Sequence, residues 1–188
     1  IERFRRKNAI RSTIITPKGL AVHIRNGVVS DGSTVLENFN LTHAETDYLL
    51  SYPDENHFDA EQESQYLEKK STSPNEIELI AFVDGKVAGT AGIYAIGPQY
   101  KVAHRAEFGI SILKEYWGLG IGRALMGACI QCAKAAGYAQ LELEVVAENA
   151  RAISMYQTAG FVEYGRNPKG FRSRNAGYQE LISMRLEL

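Results

Sequence analysis

The stretch from Ala106 to Val146 constrains this chain most. "AEFGISIL" alternates apolar side chains, with Phe108, Ile110 and Ile112 on one face, and reads as a strand. "WGLGIG" follows, with glycine at positions 118, 120 and 122. Ile121, Leu125, Cys129, Cys132 and Ala136 then recur at helical spacing, and Gly137 stands where a helix C-cap belongs. "QLELEVV" alternates again as a strand. A helical crossover between neighbouring strands makes them parallel and the connection right-handed.

The flanking sequence supplies antiparallel partners. "GLAVHIRNGVV" reads as a first strand and a turn. Helices are expected over roughly 34–50 and 59–70, separated by the breaker "SYPDEN", with "STSPN" ending the second. "IELIAFVDGKVAGTAGIYAI" is a hairpin around Asp84-Gly85, a pair that favours a type I′ turn. "NARAISMYQTAG" is a short helix with Asn149 as N-cap and Gly160 past its end. "FVEYGR" and "YQELISMRLEL" close the chain as strands. The expected fold is therefore α/β: one domain with a mixed, mostly antiparallel sheet around a central parallel β-α-β unit. Residues 1–18 read as a basic N-terminal extension and 19–188 as the domain.

Composition narrows the partners. A formal net charge of -1 suggests neither nucleic acid nor an anionic membrane. No apolar run approaches the roughly 18 residues of a membrane span. Arg3, Arg5, Arg6 and Lys7 form a basic arm, read as a solvated or packed extension with nucleic-acid contact as the alternative. Cys129 and Cys132 match the C-x-x-C pattern, but a redox pair works at a helix N-terminus, where the dipole lowers the thiol pKa. This pair lies well inside a helix on its apolar stripe, so core packing is expected, and with it a reducing, cytoplasmic setting. His23, His43, His57 and His104 are dispersed without metal-ligand spacing, and no metal is expected.

A glycine turn feeding a helix N-terminus is an anion site, because free N–H groups and the positive dipole end converge there. A dinucleotide-binding G-x-G-x-x-G read from Gly118 or Gly120 needs glycine where Arg123 and Leu125 stand. A P-loop read from Gly122 finds Gly127, but then Ala128 and Cys129 in place of Lys and Ser/Thr. "WGLGIGRALM" instead resembles the pyrophosphate loop of the GNAT superfamily of acyl-CoA-dependent N-acyltransferases, Arg/Gln-x-x-Gly-x-Gly/Ala at a helix start. Gly120 and Gly122 fill the glycine places, and Trp117 occupies the Arg/Gln place. "NARAISMYQTAGF" resembles the family's Asn-x-x-Ala…Tyr-x-x-x-Gly-Phe segment. "GYQELISM" resembles its closing strand, with Glu180 in the place of Asp. The order of elements agrees from about residue 20 to the end.

The resemblance implies an acetyl-CoA-dependent N-acetyltransferase acting on a small-molecule or peptide amine. It implies coenzyme A contacts at Ile110, Ile112, Gly118, Leu119, Gly120, Ile121, Gly122, Arg123, Asn149 and Tyr156. It also implies that the "ISIL" and "LELEVV" strands part, so that pantetheine lies between them like an added strand. An alkylammonium of pKa roughly 10 needs a base at neutral pH, and Glu107, on the strand before the loop, is the candidate. Its alternative is a solvated residue or a partner for Arg105. Tyr156 stands seven residues after Asn149, nearly two helical turns, so the two share a face. It is the candidate acid for the departing thiolate; a packed core tyrosine is the alternative. Arg166, Lys169, Arg172 and Arg174 of the last hairpin read as a solvated loop or a wall for an acidic acceptor. Spermidine, an aminoglycoside, an amino acid, a peptide N-terminus and a protein lysine all remain open as acceptor. A homodimer is compatible with the sequence. The alternative function is a module that senses acyl-CoA without turnover.

Overall fold

The computed structural model describes residues 10–188, so Arg3, Arg5, Arg6 and Lys7 lie outside the described residues. Eight strands form one sheet: β1 (Arg11–Ile15), β2 (Ala21–Asn26), β3 (Ile77–Val83), β4 (Lys86–Ala95), β5 (Arg105–Ile112), β6 (Gln140–Val146), β7 (Val162–Ser173) and β8 (Gly177–Glu187). The helices are α1 (Gly32–Glu45), α2 (Ala60–Thr72), α3 (Ile121–Ala136) and α4 (Ala150–Thr158). The strand order is β1-β2-β3-β4-β5-β6-β8-β7. Every neighbouring pair is antiparallel except β5–β6, the pair bridged by α3. The mixed sheet with its single parallel crossover is thus the one read from the sequence.

Two cores sit on opposite faces of the sheet. Ile77, Leu79, Ala81 and Val83 of β3 join Leu125, Cys129 and Cys132 of α3 and Tyr156 of α4 in the larger one. Ile80, pointing the other way along the same strand, packs with Val35 of α1 and Leu67 of α2. A strand covered by helices on both sides loses the apolar-polar alternation of a half-buried strand, and "IELIAFV" shows that loss. The β3–β4 turn has positive φ at both Asp84 and Gly85, as a type I′ turn requires.

Three boundaries differ from the sequence reading. β1, inside the segment read as an extension, pairs antiparallel with β2 from Arg11↔Arg25 to Ile15↔Ala21. It is an edge strand and mostly exposed, so it carries little of the apolar signal that marks a strand. α1 ends at Glu45 instead of near residue 50, because Thr46 turns extended (φ -150, ψ 148). Asp47 then accepts hydrogen bonds from Ser173 Oγ (2.7 Å) and Tyr52 Oη (2.9 Å), which fix the chain in a loop. β7 runs on through Pro168 to Ser173. It is an edge strand whose register shifts at 163–165 and 167–171, and edges and bulges accommodate proline.

Cys129 and Cys132 are free, buried thiols in the α3 core. Burial pushes Cys132 up to about 11 and Cys129 well above the ordinary thiol range. Both should therefore resist a thiol-specific chromophoric disulfide in the native protein and react promptly in denaturant. Rapid native labelling of two thiols would overturn the packing assignment. No helix among the described residues is long and apolar enough to cross a membrane.

Candidate active site

The site begins where β5 and β6 part. Their parallel pairing covers Arg105↔Gln140, Ala106↔Leu141 and Glu107↔Glu142 and stops there. β5 stays paired with β4 as far as Gly89↔Ile112. Beyond Glu107 its other edge is open. The carbonyl of Ile112 points toward that edge and accepts a hydrogen bond from Trp117 Nε1 (2.7 Å). By the two-residue period of a strand, the N–H and C=O of Ile110 face the same way. These are the backbone groups an inserted strand-like ligand would use.

At the mouth of the fork lies the glycine turn. Gly118 (φ 72) and Gly120 (φ 95) are left-handed, a conformation costly for residues with a Cβ. Gly122 serves packing instead: a Cβ there would stand 3.0 Å from Met155 Sδ and 3.3 Å from Ile112 Cδ1. Two glycines thus shape the turn, and the third lets α3 approach α4 and β5. Gly120 is the N-cap of α3 and offers no side-chain cap. Among the described residues, the N–H groups of Ile121, Gly122 and Arg123 meet no acceptor in the protein, so they are available to an anion.

A cleft of about 490 Å³ joins fork and turn. Ile110, Ile112, Gly118, Leu119, Gly120, Gly122, Arg123, Asn149 and Tyr156 line it. Ile121 does not; its side chain is fully buried in the core, leaving only its N–H on the turn. Asn149 caps α4 by accepting from Ala152 N (3.3 Å), which leaves its amide NH₂ free. Tyr156 packs edge-on against Phe108 (6.3 Å between centroids) and against Phe161 (5.8 Å). Burial pushes its phenol up to about 12, so it is protonated at neutral pH. Tyr156 thus both packs in the core and lines the cleft.

Glu107 occupies the last paired position of the fork, is exposed, and does not line the cleft. Partial desolvation, then the charges of Glu144 and Glu142, raise its pKa. Arg105 is not its partner: the guanidinium forms a two-pronged pair with Glu142, one arm being Nη2 to Oε2 at 2.7 Å. Most of the basic hairpin is likewise engaged within the protein. Arg166 pairs with Glu163 and Glu180, Arg174 with Asp54, and Lys169 and Arg172 lie over the Tyr178 ring.

Sequence reasoning missed two features. One is the loop after α1, which brings Tyr48 and Leu49 to the cleft and is anchored to the β7–β8 turn through Asp47, Ser173 and Arg174. Partners more than 100 residues apart leave no local signal. The other is Arg151, whose guanidinium sits 3.5 Å above the Trp117 ring.

This geometry agrees with comparisons to known proteins. The model of the acetyltransferase (GNAT) family matches residues 41–161. The chain belongs to the GNAT family. This GNAT acetyltransferase is 30% identical over 120 residues to the L-amino acid N-acetyltransferase AaaT of Escherichia coli (strain K12), covering 63% of this chain and 73% of that one. A GNAT-family acetyltransferase of Streptococcus pneumoniae superposes with a TM-score of 0.85 at 30% identity, over 89% of this chain and 99% of the other. Salmonella typhimurium yncA, solved with its cofactor acetyl-CoA, shares the fold at a TM-score of 0.78 and 19% identity, over 89% and 94% of the two chains. Acetyl-CoA is the cosubstrate of the family, and the open fork and the glycine turn fit it.

Proposed function

We propose that this GNAT acetyltransferase moves an acetyl group from acetyl-CoA to a primary amine by direct attack in a ternary complex. The observation that carries the reading is the fork: β5 leaves β6 after Glu107, and the opened cleft is lined by the glycine turn and by Tyr156. Backbone N–H groups at the start of α3 hold the pyrophosphate. The free edge of β5 pairs with the pantetheine amides. The N–H of Ile110 faces the thioester oxygen as negative charge develops on it. Glu107 takes the ammonium proton, directly or through water, and its raised pKa makes it a stronger base. The amine nitrogen bonds to the carbonyl carbon, the C–S bond breaks, Tyr156 donates a proton to the thiolate, and the second N–H proton leaves the new amide nitrogen through water to restore the tyrosine hydroxyl. The similarity to an L-amino acid N-acetyltransferase makes the amino groups of L-amino acids the first acceptors to try.

An amine panel with acetyl-CoA, read by thiol release, tests the reading. Amine-dependent release is expected, and CoA binding without release for any amine would favour a sensor. With an accepted amine, Glu107→Gln should slow turnover most near pH 7 and recover as pH rises, because a neutral amine needs no base. A constant mutant-to-wild-type ratio from pH 7 to about 10 would remove Glu107 as the base.

A further inference from the structure

Arg151 lies in the first turn of α4, where a positive side chain meets the positive end of the helix dipole. Its guanidinium rests on Trp117 and lines the cleft. Among the described residues it has no carboxylate partner and makes no side-chain hydrogen bond. Burial lowers its pKa, and a nearby anion would reverse that effect. Arg151 is exposed, and neither the like-signed dipole nor a counter-ion in the protein accounts for its place over the ring. The ring beneath it is fixed in turn, because Trp117 Nε1 is hydrogen-bonded to Ile112 O. Thus an aromatic shelf presents a cation without a carboxylate partner to the same cleft that the start of α3 lines.

Trp117 also stands where the family's loop pattern has Arg or Gln. In this chain a guanidinium reaches that position from α4, lying over the tryptophan that replaced it. We propose that Arg151 is a phosphate-binding residue of the acetyl-CoA cleft, gripping the ligand from α4 while the glycine turn holds it from α3. This rests on reading the cleft as the acetyl-CoA site. The phosphate is either the pyrophosphate or the ribose 3′-phosphate. Both offer a pair of anionic oxygens to which a planar guanidinium can donate two parallel hydrogen bonds.

Trp117 is the chain's single tryptophan, so its fluorescence reports this contact without turnover. CoA, dephospho-CoA and pantetheine should be titrated into the wild type, Arg151→Ala and Arg151→Lys. Arg151→Ala should weaken CoA on the order of 10-fold to 100-fold, the size of one lost charge-assisted hydrogen bond. The loss should shrink at high salt. Arg151→Lys should recover part of the affinity, which a packing defect would not. If dephospho-CoA escapes the loss, the partner is the 3′-phosphate; if it shares the loss and pantetheine does not, the pyrophosphate. Equal weakening of all three ligands, or none, in a variant of unchanged Tm would overturn the proposal. A wild type that binds no CoA would instead remove the reading of the cleft itself.

Discussion

Gly118→Asp is expected to weaken CoA binding on the order of 30-fold or more while leaving the fold intact. Gly118 lines the cleft, and a Cβ added there meets nothing within 4 Å. Its left-handed φ of 72 is one that Asn and Asp tolerate better than other residues. An added carboxylate would therefore sit in open space beside the ligand's phosphates. Two unit charges about 4 Å apart repel by roughly 4 kcal/mol at an effective dielectric of about 20, and solvent screening reduces this to about half. Gly118→Asn carries the same shape without the charge and should bind CoA within a few-fold of wild type. Gly122→Asp would be less informative, since its Cβ runs into Met155 and Ile112 and disturbs the α3–α4 contact as well as the ligand. Calorimetry on both Gly118 variants decides the matter: equal affinities would mean that no phosphate lies near the turn.

Tyr156→Phe is expected to lower kcat on the order of 100-fold with little change in CoA affinity. The hydroxyl matters as the thiolate departs, so its loss acts on the transition state and not on ground-state binding. The ring contacts with Phe108 and Phe161 do not involve the hydroxyl, and among the described residues that hydroxyl has no hydrogen-bond partner. Removing it leaves no protein group unsatisfied, and Tm should move by no more than a degree or two. A large fall in Tm with unchanged kcat would make Tyr156 a structural residue. If neither changes, another group protonates the thiolate.

The sequence alone determined the central unit of the fold. Alternation in "AEFGISIL" and "QLELEVV", the helical stripe from Ile121 to Ala136 and the closely spaced glycines are local properties, so the β5–α3–β6 crossover and its glycine turn were legible. Asn149, Gly160 and the Asp84-Gly85 turn were legible for the same reason: caps and tight turns depend on neighbours a few residues away. Tertiary structure decided what depends on distant partners. Edge strand β1 shows itself only through its ladder with β2. The helix-forming run after Glu45 yields to Asp47 bonding Ser173, 126 residues on. Glu78, in an otherwise apolar strand, is buried with the Tyr94 hydroxyl at 2.9 Å, and burial pushes it up to about 7; no periodicity announces that pair. Arg105 is claimed by Glu142 because β5 and β6 lie parallel at that point. Arg151 reaches Trp117 because α4 folds back beside the turn, bringing a cation across 34 positions of sequence onto an aromatic face. Periodicity and capping are read within one or two turns of chain. An ion pair, a shelf or a strap is a contact between elements, and only the packing of the sheet and its helices brings those elements together.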